Sequence, residues 1–232
     1  MTLPSLITTY EQAERDLLCS LARPSDVFYD VGAYVGWYSV ALAPHVRRVC
    51  AFEPIPDICE ELLRNIDELP NVYVYMMGLS DSVGVANFHI SSREPGTGSL
   101  APLEEERFGV NTIQRRRVST IDLLCTNRLP PPSLIKIDVE GAELRVLKGA
   151  AQTISSYHPI IQCEMLRKWS RRFDYHPNDI IAFLSGFGYR CYCLRAGRLD
   201  RFHLMTDETA ERNFFFIHPD QADRISQLGS CQ

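Results

Sequence analysis

Carboxylates recur at the ends of apolar runs in this chain. Asp30 follows Val27-Phe28-Tyr29, Glu53 closes Val49-Cys50-Ala51-Phe52, and Asp81 lies just beyond Val72 to Met77. Asp138 with Glu140 follows Leu134-Ile135-Lys136-Ile137, and Glu164 ends the run from Pro159 to Cys163. One such acid is commonly a helix cap. If the runs are parallel strands of one sheet, however, all of them meet on one rim, where ligands of such sheets bind. Several acids on one rim call for something positive or hydroxyl-rich to offset them. Right after Asp30 comes a glycine turn, Asp30-Val31-Gly32-Ala33-Tyr34-Val35-Gly36. Lacking a Cβ, Gly32 and Gly36 admit a ligand close to the backbone. The helix that follows offers free N–H groups at its start.

The spacing Gly32-x-x-x-Gly36 lacks the central glycine of the G-x-G-x-x-G dinucleotide fingerprint. With Asp30 at the strand end it suits a cationic cofactor such as S-adenosylmethionine (SAM) better than a pyrophosphate. On this motif alone a strand-turn-helix without a ligand stays open. Glu53 lies about 20 residues further on, where an acid can take both ribose hydroxyls, and NAD would use the same acid. No G-K-[ST], H-E-x-x-H or G-x-S-x-G occurs. His45, His89, His158, His176, His203 and His218 stand apart in the sequence, and no metal site is expected. The eight cysteines form no C-x-x-C; Cys191-x-Cys193 puts two thiols on one strand face without a second ligand pair.

The elements that must position these groups read as an alternation of strand and helix. Residues 1–24 form a helical lead-in ended by Pro24. Strands are expected at 27–29, 47–53, 72–77, 134–138 and 159–164, with helices at 37–43, 57–67 and 142–148 between them. Ile58, Leu62 and Ile66 give the second helix an apolar stripe. A further helix opens at Pro177 and stops at Gly186, and strands at 189–194 and 213–217 follow, the last antiparallel. The fold class is therefore α/β: a doubly wound, mostly parallel sheet with an antiparallel last strand. A strand-and-loop region, 83–119, interrupts the alternation. In it, 85–90 pairs with 115–119, the Arg115-Arg116-Arg117 triplet reads as a solvated strand edge or an anion contact, and 91–111 reads as a polar loop forming a mobile cover. Residues 219–232 are a tail.

The chain has 232 residues and a net charge of −5, with 45% apolar and 23% charged residues. One large soluble domain fits these values. No basic field attracts nucleic acid or anionic lipid. No apolar run nears the roughly 18 residues of a membrane helix, and the acids of residues 1–21 do not suit a signal peptide. A cytoplasmic location with reduced cysteines is expected; homo-oligomerisation is left open.

These motifs resemble the FkbM family of SAM-dependent methyltransferases. The resemblance rests on Asp30 to Gly36, Phe52-Glu53-Pro54, Gly78-Leu79-Ser80-Asp81, Ile135 to Glu143 with Leu147-Lys148-Gly149-Ala150, and Gly98-Ser99-Leu100. It covers about residues 25–218. It implies a Rossmann-like sheet and, typically, O-methylation of sugars or natural products, with SAM as cofactor and a small-molecule or carbohydrate acceptor. Asp30, Gly32, Ala33 and Gly36 would line the methionine part of SAM. Glu53 with Pro54 would take the ribose, and Ser80 with Asp81 would lie near adenine. Gly98 and Ser99 would touch the acceptor. Asp138 and Glu140 would face the reacting centre with Glu164 behind, Asp138 as base or as orienter. Lys136 would be a buried ion-pair partner or a catalytic group. Tyr34 departs from the usual Asn and alters contacts near the methionine end. A SAM- or nucleotide-binding module without chemistry, and an NAD-dependent oxidoreductase, remain the alternatives.

Overall fold

The computed structural model describes residues 11–94, 98–127 and 129–226. In chain order the first half contains α1 (Gln12–Leu21), β1 (Val27–Val31), α2 (Trp37–Leu42), β2 (Arg48–Phe52), α3 (Pro56–Asn65), β3 (Val72–Tyr75), β4 (Gly78–Leu79), β5 (Gly84–Ser91), β6 (Gly98–Ser99), α4 (Glu105–Phe108) and β7 (Asn111–Ser119). The second half contains α5 (Ile121–Thr126), β8 (Leu134–Ile137), α6 (Glu143–Lys148), α7 (Ala151–Tyr157), β9 (Ile160–Glu164), α8 (Arg167–Ser170), α9 (Pro177–Ser185), β10 (Arg190–Arg195), β11 (Arg198–Arg201), β12 (Asn213–Ile217) and α10 (Ala222–Ser226).

The main sheet runs β11-β10-β12-β9-β8-β1-β2-β3. The block from β9 to β3 is parallel, and β12 is antiparallel to both β9 and β10. This is the mostly parallel, Rossmann-like sheet with a reversed last strand. The hairpin-like stretch after β10 adds the edge strand β11. Every residue of β1 and of β12 is buried, as suits strands covered on both faces. Tyr29, Phe214 and Phe216 face one side, and Phe28 and Phe215 face the other. Helices α5, α6, α7 and α9 cover the first face. On the second, Leu17, Leu18 and Leu21 of α1 pack with Leu42 and Leu62 of α2 and α3. The last turns of the described chain join this body: Arg224 forms a buried pair with Asp26, just ahead of β1.

The interrupting region is a second sheet, β4-β7-β5-β6, which begins at Gly78 rather than at 83. Its strands are longer than the residue pattern predicts, pairing from Gly84–Val118 to Ser91–Asn111. Arg115 and Arg117 are exposed on β7, as the solvated reading has it. Residues 91–111 are not one open loop. Ser91 ends β5, β6 pairs with it, and Phe108 of α4 is buried against Trp169. The Ser91 hydroxyl donates to the Phe108 carbonyl at 2.8 Å, and the Asn111 amide donates to the Leu103 carbonyl at 2.8 Å. Paired backbone and a buried ring make these described parts a wall. Pro95 and Gly96 lie outside the described residues.

Candidate active site

Parallel strands bring β1, β2 and β8 side by side with their carboxyl ends together. Beyond them lies a cavity of about 330 Å³, within the range of small-ligand sites. Its lining includes Gly32, Ala33, Glu53 and Pro54 together with Asp138, Glu140 and Gly98.

Gly32 opens the turn after β1 at φ +77°. A Cβ there would stand 1.9 Å from the Asp138 carbonyl oxygen, so only glycine lets the ends of β1 and β8 approach this closely. Tyr34 is also left-handed, at φ 51°, a conformation that Asn tolerates better than an aromatic residue. Its ring meets Trp37 edge-on, 5.5 Å between centroids, on the cavity wall. Gly36 turns the chain into α2 from behind this wall, against Leu62.

Glu53 stands one residue beyond β2. Its Oε2 accepts from the Tyr34 N–H at 3.1 Å and its Oε1 from the Ile55 N–H at 3.0 Å. Burial pushes its carboxyl up to about 7, against the pull of those two N–H donors. Each oxygen keeps a lone pair, so the group can still accept from a diol in the cavity.

Asp30 is fully buried behind the wall. Its Oδ2 accepts from the Ser39 hydroxyl at 2.7 Å, and Lys136 Nζ lies 3.9 Å from its Oδ1. Burial raises its carboxyl, while Lys136 and Ser39 oppose that. The Lys136 ammonium also donates to the Gly32 carbonyl at 3.1 Å and stands 3.3 Å from Asp138 Oδ2. Burial works against its charge, but Asp138 and Asp30 outweigh it and hold the proton on. Lys136 thus ties the glycine turn to both aspartates.

After β8 the chain turns at Glu140, in the left-handed region at φ 53°. The Glu140 carbonyl accepts from the buried Ser99 hydroxyl at 3.0 Å, which fixes β6 to this loop. Its carboxyl is pushed up to about 8 by burial, then by Asp138 and Glu143, and its buried Oε2 has no hydrogen-bond partner. Glu143 shapes the same loop, accepting from the Val139 and Gly141 N–H groups at 3.1 and 2.9 Å. Glu164 stands behind at the end of β9, raised to about 10 by burial and by Asp138, Glu140 and Glu143.

Two predicted positions are not brought here. Gly78 and Leu79 leave the main sheet to pair with β7 and reach the cavity wall themselves. Ser80 is carried past it, its N–H donating to the Ser119 carbonyl at 2.9 Å, and Asp81 is exposed beyond. Ser99 and Glu164 likewise support the cavity from outside its lining. Conversely, the residue pattern does not announce Glu11 or Tyr38, which do line it. The Tyr38 hydroxyl donates to Glu11 Oε2 at 2.9 Å and accepts from Gln162 Nε2 at 2.6 Å, while Asn213 Nδ2 donates to Glu11 Oε1 at 2.7 Å.

Two histidines that stand apart in the sequence also meet. The His158 and His218 rings stack 3.7 Å apart beside Asp220, at the amino end of β9, away from the cavity. The rings are near-parallel, 16° between planes, and the two Nδ1 atoms lie 2.8 and 3.4 Å from the same Asp220 Oδ2, so among the described residues these three side chains bring their ligand atoms within 4.8 Å of one another.

The methyltransferase FkbM domain matches residues 30–191, well over half of the sequence. The chain belongs to the FkbM methyltransferase family. The chain is 33% identical over 152 residues to the hexuronic acid methyltransferase AglP of Haloferax volcanii, covering 65% of this chain and 61% of that protein. It is 26% identical over 167 residues to the 2-O-methyltransferase NoeI of Sinorhizobium fredii, covering 64% and 67%. The chain thus spans about three fifths of the Haloferax relative. A crystal structure of an FkbM methyltransferase from Methylobacillus flagellatus superposes with a TM-score of 0.56 at 18% identity, over 91% of this chain and 47% of that one, which speaks for the shared fold.

Proposed function

We propose that this protein is a SAM-dependent O-methyltransferase acting on a hydroxyl of a small molecule or carbohydrate. One observation carries the reading: a single cavity joins a diol-accepting carboxylate, Glu53, to a second carboxyl cluster, Asp138 and Glu140. SAM fits beside Glu53, which keeps free lone pairs, and Gly32, which leaves the backbone bare. In this reading Glu53 takes the ribose hydroxyls, Pro54 and Leu79 flank the nucleoside, and Gly32 and Ala33 border the methionine part. Asp30 acts from behind, through Lys136. The relatives named as acting on a hexuronic acid and at a 2-O position favour a sugar-like acceptor.

The cofactor supplies a methyl group already activated on a sulfonium, so the protein mainly has to align the acceptor oxygen with it. Transfer of that methyl group to the acceptor oxygen would also require the hydroxyl proton to be taken by a base on the wall. Glu140 suits that task better than Asp138. Its acidity lies close to neutral pH and its Oε2 is unpartnered. Asp138 is held by Lys136 at 3.3 Å and orients the acceptor. Gly98 and Leu100 form the acceptor wall, kept in place by Ser99. The methyl-transferring unit is 25–218, with Glu11 of the lead-in joining its wall. We place it in the cytoplasm, where buried thiols such as Cys50 and Cys163 stay reduced.

The test is formation of S-adenosylhomocysteine (SAH) from SAM with a panel of glycosides and polyols, beside calorimetry with SAM and NADH. SAM binding with acceptor-dependent SAH release is expected. SAM binding without turnover across the panel would favour a binding module, and tighter NADH binding would overturn the cofactor assignment.

A further inference from the structure

The charge of the cavity narrows the acceptor, provided the O-methyltransferase reading holds. Among the described lining residues, Glu11, Glu53, Glu94, Asp138 and Glu140 are acids and Lys136 is the one basic residue. That cation is already committed. Its side chain is 6% exposed, and it faces Asp138, Asp30 and the Gly32 carbonyl. Residues 1–10 and 95–97, next to Glu11, Glu94 and Gly98 in sequence, contain no Lys, Arg or His. Burial and the neighbouring acids raise both Glu140 on the wall and Glu164 behind it, so this corner resists further negative charge. SAM brings one net positive charge, and its ribose needs only hydroxyl acceptors at Glu53.

We infer that the acceptor is a polyhydroxyl molecule with no acidic group, neutral or bearing an ammonium, and that a uronate is turned away. Hydroxyls donate to carboxylates, so a neutral sugar satisfies the acids of the wall. An ammonium offsets their charge as well. A carboxylate would enter among like charges, with no free basic side chain on the described wall to receive it. In this the chain parts from its Haloferax relative, named for a hexuronic acid.

The test compares three ligands that share one ring: methyl glucoside, its 2-amino-2-deoxy analogue and methyl glucuronide. Each is titrated by NMR into the protein saturated with SAH, at low ionic strength so that screening does not mask the effect. The glucuronide is expected to bind at least about tenfold more weakly than either of the others, the equivalent of one like-charge contact near a protein surface. A glucuronide that binds as tightly as the glucoside overturns the inference. Failure of all three sugars on SAH-loaded protein overturns it together with the carbohydrate class, while failure to bind SAH at all overturns the methyltransferase reading beneath it.

Discussion

Both oxygens of Glu53 already hold backbone N–H groups, so this carboxylate is an anchor for the glycine turn as well as a candidate ligand. Glu53→Gln turns one acceptor into a donor facing one of those N–H groups. Hydrogen bonds to a charged acceptor contribute about 1.5–3 kcal/mol, so the dissociation constant for SAM should rise roughly 10–150-fold. Calorimetry with unchanged affinity would remove Glu53 from the cofactor site. On the same cavity wall, a base must be ionised to accept a proton. With Glu140 near 8, kcat/KM should climb with pH along an acid limb centred close to that value. The limb should lie lower for kcat, because bound SAM adds a cation beside the carboxyl. Glu140→Gln should cost about 10²–10⁴-fold and erase the limb. If Asp138→Asn erases it and Glu140→Gln leaves it, the proton goes to Asp138.

The elements around the cavity differ in how plainly the residues announce them. Asp30, Glu53 and Asp138 each stand at a strand end, a place visible from an apolar run that stops. Ser80 and Asp81 look alike in sequence, but β4 leaves the main sheet for β7, and no local pattern records which sheet a two-residue strand joins. The same holds for β6 and α4, whose order comes from Ser91, Ser99 and Phe108 meeting distant partners. This bears on dynamics. In the free protein the amides of Ala101, Phe108 and Gly109, bonded to Ser99, Glu104 and Glu105, should already exchange slowly with solvent. Phe108→Ala should destabilise by about 3–5 kcal/mol and release them. Fast exchange in the unaltered protein would restore the mobile cover.

For the whole molecule, the acids on the cavity wall and behind it trade stability for binding. Glu53, Glu140 and Glu164 rise in the fold from an ordinary 4.5 to about 7, 8 and 10. A raised acid favours the fold while protonated, so this stability is full below about 4.5 and drains away as pH climbs through the folded values. The thermal midpoint of the free protein should fall between about pH 5 and pH 9, and SAM should lessen the fall. A midpoint rising over that window in the free protein would contradict the assigned burial. Time enters through another long-range contact. Glu11 and Asn213 are 202 positions apart and share a hydrogen bond on the cavity wall. The ribosome delivers the chain from its amino end, so Glu11 waits for 202 further residues before its partner is made. A nascent chain that stops short of β12 can pair β1, β2 and β8, yet leaves Tyr38 and Gln162 without their full network and the edge of β9 bare. Such non-local closure is slow, and an uncovered strand edge recruits other chains. The protein is therefore most prone to aggregation during its own synthesis, in the interval before β12 arrives.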